Sequence, residues 1–94
     1  MRKAILLLLF PLVTNLAIAQ QKEAAEKLVR EGVACHDKGD YNGALAKYDK
    51  ALELDGNNLS ALTEKALTLV TLERYEAAIE CCKKAITEHP GETD

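Results

Sequence analysis

The sequence predicts an all-α chain made of two copies of one helix-turn-helix unit, and three observations carry that prediction. Between Gln21 and His89, apolar and small residues recur at spacings of three and four, the period that gathers them on one face of a helix. Glycine and asparagine interrupt this period at Gly39 and at Gly56-Asn57-Asn58. Finally, a shift of 34 residues carries Leu28, Tyr41, Ala44, Lys50 and Ala51 onto Leu62, Tyr75, Ala78, Lys84 and Ala85, while Leu45 and Leu52 fall on Ile79 and Ile86.

Residues 1–19 read as a secretory signal peptide. Arg2 and Lys3 supply the charged start, AILLLLFPLV the apolar middle, and Ala17-Ile18-Ala19 the small-residue cleavage site, with Gln20 as the first residue of the product. The apolar run is shorter than the roughly 20 residues of a membrane span and is broken by Pro11, Thr14 and Asn15. A soluble product is expected, periplasmic or extracellular.

Removing 19 of the 94 residues leaves 75, and removes two basic side chains and no acidic one, so the formal charge goes from −3 to −5. Such a surface repels phosphate backbones, which argues against nucleic acid as a partner. The length allows one small domain whose core supplies on the order of 3 to 5 kcal/mol.

The first helix is expected over Gln21–Lys38, with Ala24, Ala25, Leu28, Gly32 and Cys35 on its apolar side. Gly32 costs about 1 kcal/mol against alanine inside a helix, so its presence predicts the close approach of another helix. The second helix, Tyr41–Leu54, turns Ala44, Leu45, Tyr48, Ala51 and Leu52 inward and Lys47, Asp49, Lys50 and Glu53 to water. Asp55-Gly56-Asn57-Asn58 stops it, with Asn58 as the N-cap of a third helix, Leu59–Leu72. The fourth, Tyr75–His89, repeats the second. Ala44, Ala51, Ala78 and Ala85 are expected at crossings too tight for a larger side chain.

The period and the segment GDYNGALAKYDKALELD resemble the tetratricopeptide repeat, a helix-turn-helix unit of that length. The second copy, LERYEAAIECCKKAITEHP, departs at Glu73, where the first has Gly39, but carries Pro90 where such units commonly end. Both leading helices also depart, with Leu28 and Leu62 at the family's usual aromatic position and Gly32 and Ala66 at its small one. The resemblance implies two repeats, residues 20–58 (repeat core 25–58) and 59–92, stacked as a short right-handed α-solenoid, with 93–94 as a tail.

Three cysteines and two histidines are the candidates for chemistry, and an odd cysteine count in an exported protein flags a free thiol or an intermolecular bridge. Cys35 and Cys82 stand at core positions of the repeat, Cys82 being the counterpart of Tyr48, so packing is expected there. Cys81 matches Lys47, an outward position, and is expected to be exposed. Cys81 and Cys82 point about 100° apart on a helix, which opposes a mutual disulfide or a shared metal. Cys35 and His36 are sequential and point to different faces, and His89 near a helix C-terminus suits the helix dipole. No phosphate loop, serine elbow or zinc-ligand spacing is present. No enzymatic activity, catalytic residue, cofactor or metal is therefore expected.

What remains is surface. The resemblance implies a concave groove lined by the leading helices, here Glu26, Val29, Val33, His36 and Asp37 from the first repeat and Ser60, Thr63, Leu67, Val70 and Thr71 from the second. Chaperone-tail binders of the family clamp a carboxylate there with lysines and asparagines, whereas this groove offers Val29, Val33 and Glu64. An apolar or mixed segment of a partner protein fits better, although Val29, Val33 and Leu67 packing on one another is an equal alternative. The fourth helix, through Ile79, Cys81, Cys82 and Ile86, is more apolar than a solvated end of a stack, since repeats hide their apolar faces only against neighbours. Two roles follow as expectations: an exported protein-binding module that also self-associates, or the front end of a longer array; a thiol-dependent redox or hydrolytic enzyme acting through Cys81 is a third and weaker reading.

Overall fold

The computed structural model describes residues 2–91, with side chains from residue 15 onward. Its described residues form four helices and no strand: α1 (Arg2–Asp37), α2 (Tyr41–Leu54), α3 (Leu59–Thr71) and α4 (Tyr75–Glu88). Turns of three or four residues join them, so consecutive helices run antiparallel. α1 pairs with α2 and α3 with α4, while α3 also lies against both α1 and α2. Among the described helices, α4 packs only on α3. The result is a short α-solenoid of two repeats.

The first helix departs from expectation at its start. It does not begin near Gln21 but runs unbroken from Arg2 to Asp37, through Ala19 and Gln20. Leucine and alanine are good helix formers, and no glycine or capping turn between Ala17 and Glu31 offers the chain a stop. Asn15 to Ala24 are exposed, and the inward stripe begins at Ala25. The other helices end within a residue of the expected points, with Leu72 and His89 as C-caps.

The ends of the first repeat are well made. Gly39 has φ +82° and closes α1 with two bonds, its own N–H donating to the His36 carbonyl at 2.9 Å and Asp40 N–H donating to Cys35 at 2.9 Å. This left-handed closure relies on glycine's freedom at positive φ. Asp40 then caps α2 by accepting from Gly43 N–H at 3.0 Å. The second repeat copies the geometry with poorer residues. Glu73 takes φ 61°, Arg74 N–H donates to Leu69 at 2.8 Å, and Arg74 provides no side-chain cap for α4.

Asn58 is buried and caps α3 as the sequence indicates, accepting from Ala61 N–H at 2.9 Å. Its amide also donates to Glu26 at 2.8 Å and Asp55 at 3.1 Å, which ties α1, the turn and α3 together. The core is built on alanine: Ala25, Val29, Ala44, Tyr48, Ala51 and Ala61 form one cluster, Ala66, Leu69 and Ala78 a second. Ala44, Ala51, Ala78 and Ala85 are all buried, as crossing positions should be. The ring of Tyr48 lies against Gly32, where an added Cβ would stand 2.8 Å from Tyr48 Cδ1. The close approach expected at Gly32 is therefore present.

Candidate functional site

The concave groove divides into two unlike halves. In the first repeat its residues are engaged by the fold. Val29 is buried in the core and Val33 packs against it, so Val29 is not a groove residue but a core one. The alternative of internal packing holds for this pair, because α2 and α3 close over that side of α1. Glu26 is half-buried on Asn58. His36 sits edge-on to Tyr41 at 5.0 Å, and its Nδ1 is 2.8 Å from Thr68 Oγ1. Asp37 alone of this half is exposed.

In the second repeat Ser60, Thr63, Leu67, Val70 and Thr71 are all exposed. Thr63 and Thr71 donate to their own helix backbone, at 3.0 Å to Leu59 and 3.1 Å to Leu67. Leu67 and Val70, at 55% and 48% exposure, are left uncovered, so Leu67 does not join Val29 and Val33. Glu64 is half-buried.

On α4, Ile79, Cys82 and Ile86 are exposed, but Cys81 is not. The two thiols exchange the roles their repeat counterparts suggested. Cys82 inherits the position of Tyr48, which is buried because a following helix covers it, and no described helix covers Cys82. Cys81 instead packs beside Ala66, Leu69 and Ala78. Burial pushes its thiol pKa up, with Lys65 working in the other direction. All three cysteines are free. Among the described residues, no group of His, Cys, Asp and Glu is placed to hold a metal ion.

His89 caps α4, and its Nε2 lies against the Asn57 carbonyl, to which an N–H there donates. Tyr48 Oη lies beside the Thr68 hydroxyl without completing a hydrogen bond. Burial raises its pKa above 10.0, and Thr68 opposes the rise.

Two features escaped the sequence reading. Tyr75, at 56% exposure, extends the α4 strip toward its N-terminus, a position that periodicity alone had assigned to the helix entry. A cleft of about 580 Å³ separates α2 from α4 over α3, floored by Leu45, Leu52, Leu69, Ala77 and Cys81. Lys65 reaches across its wall to Asp49 at 2.7 Å. No sequence signal marks a cleft that exists because two non-consecutive helices fail to touch.

Comparison with known families places these helices. A family model described as TPR repeat matches residues 32–72, and a second, tetratricopeptide repeat, matches residues 59–90. The chain carries tetratricopeptide repeats. Among similar proteins, the Hsp70-Hsp90 organizing protein of Triticum aestivum is 40% identical over 63 residues, 67% of this chain and 11% of that one. The small glutamine-rich tetratricopeptide repeat-containing protein of Dictyostelium discoideum is 38% identical over 70 residues, 74% of this chain and 21% of its own. An uncharacterized protein of Methanocaldococcus jannaschii is 44% identical over 57 residues, 61% of this chain and 66% of that one. The chain thus spans about a tenth to a fifth of the first two relatives. Tetratricopeptide repeats are protein-interaction modules.

Proposed function

We propose that this chain is an exported protein-binding module, without chemistry of its own, that receives a helical segment of a partner protein on the face formed by α3 and α4. One observation supports the reading above others. Six side chains that are covered wholly or in part in the first repeat have exposed counterparts one repeat later, while the alanines at the helix crossings, Ala44 and Ala51 with Ala78 and Ala85, are buried in both. Val33, His36, Tyr41, Leu45 and Leu52 are half-buried and Tyr48 is fully buried, whereas Leu67, Val70, Tyr75, Ile79, Ile86 and Cys82 are exposed. The exposed face is therefore the seat that α3 fills on the first repeat, and a helix of similar chemistry fits it. A contiguous apolar strip with one polar flank is the usual mark of such a docking face.

A peptide of residues 58–72 tests this, since α3 is the occupant of the equivalent seat. Titrated into the labelled protein, it should shift the methyl signals of Leu67, Val70, Ile79 and Ile86. Shifts confined to other surfaces would defeat the reading.

Export rests on Arg2, Lys3, the apolar run and Ala17-Ile18-Ala19. Intact-mass measurement of the protein from its native compartment should give Gln20 as the first residue, and a full-length cytoplasmic species would defeat it. The second reading, a segment of a longer array whose next repeat covers the same face, is favoured by the small share of the relatives that the chain spans. The coding sequence beyond Asp94 separates the two.

A further inference from the structure

We infer that the helix received by the α3–α4 face is α4 of a second copy of this chain, running antiparallel about a two-fold axis. The inference rests on the proposed docking role of that face and names its occupant.

The strip has coiled-coil spacing. On α4, Tyr75, Ile79, Cys82 and Ile86 follow one another at intervals of four, three and four, the alternation of a heptad seam. Tyr75, Ile79, Cys82 and Ile86 are all exposed. Glu76 and Lys83 flank the seam on one side, and Ala78 and Ala85 on the other are buried against the chain's own core. Glu76 has no partner among the described residues, and Lys83 has only a loose 3.6 Å contact with Glu80.

Charge then selects the orientation. In an antiparallel pair the like flanks of the two helices face each other. With Ile79 opposite Cys82 of the second copy, Tyr75 falls opposite Ile86, and Glu76 lies about 3 Å along the axis from the level of Lys83 of that copy. The two-fold repeats the contact, so both Glu76–Lys83 pairs form together. In a parallel pair the charged flank would meet the alanine flank, and neither charge would find a partner. The antiparallel arrangement also brings Leu67 and Val70 of both copies to the same side of the seam.

Head-to-tail stacking, with α1 of one copy seated on the last repeat of another, is opposed by two side chains. In the frame of the repeat, Lys27 of α1 falls where α3 has Ala61, and Lys38, just past the end of α1, falls where Leu72 caps α3. Ala61 is fully buried in its seat, and a lysine at that point would lose its hydration.

Sedimentation equilibrium of the full chain at about 100 μM, under reducing conditions, tests this. The wild type should have the mass of two chains and Ile86→Glu the mass of one. Glu76→Lys and Lys83→Glu should each weaken association at least tenfold at low salt, and the double exchange Glu76→Lys with Lys83→Glu should restore it. A monomeric wild type overturns the proposal, as does a dimer indifferent to Ile86→Glu or one that the double exchange fails to restore. A monomer that still takes up the 58–72 peptide would sink the second copy as occupant while leaving helix docking intact.

Discussion

Gly32→Ala should destabilise the protein even though alanine is the better helix former, and the conflict between those two effects makes the substitution informative. In an open helix the exchange would gain about 1 kcal/mol. Here the new methyl would arrive 2.8 Å from Tyr48 Cδ1, and closer still to Cε1. The ring cannot retreat, because Tyr48 is fully buried among Ala44, Ala51 and Ala61, each itself without exposure. Overpacking of that kind costs about 1 to 3 kcal/mol over and above the propensity gain, since it forces off-rotamer side chains or a helix shift. For a domain of this size that is a fall in Tm of about 5 to 15 °C. Thermal unfolding followed by circular dichroism at 222 nm reads it directly. In a Tyr48→Leu background the same Gly32→Ala change should become neutral or stabilising. An unchanged or raised Tm in the single variant, or an equal penalty with leucine at 48, would refute the contact as the reason for the glycine.

Other outcomes follow from the same structure. Converting the second turn to the residues of the first, Glu73→Gly with Arg74→Asp, relieves the positive φ at Glu73 and supplies a cap for α4. It should raise stability by about 1 to 2 kcal/mol in urea melts, and no gain would mean that the turn residues are not limiting. Among the thiols, Cys82 should react first with a disulfide reagent at pH 8, and Cys81 should lag because burial raises its pKa; equal rates would contradict the packing of Cys81. Tyr48 favours its neutral form in the fold, so its contribution is complete below pH 10 and disappears as pH climbs through the higher folded value. Stability measured from pH 8 to 11 should fall less steeply in Tyr48→Phe than in the wild type.

The 3.6-residue period, the Gly39 and Asn58 stops and the 34-residue echo were enough to place four helices, apart from the start of the first, because the direction in which a side chain points and the closure of a helix end are local properties of a chain. The Gly32 approach was legible for a similar reason, since a costly residue in a helix interior implies a neighbour. The repeat frame failed where it was asked for exposure. It assigned Cys82 the burial of Tyr48 and Cys81 the exposure of Lys47, and the structure reverses both. Counterparts share a place on their helix but not a neighbour: α3 lies over the first repeat, and no described helix lies over the second. The same asymmetry moved Val29 from groove to core and left Leu67 and Val70 in solvent. Periodicity determines which way a side chain points, and only the stacking of one helix on another decides whether anything is there to meet it.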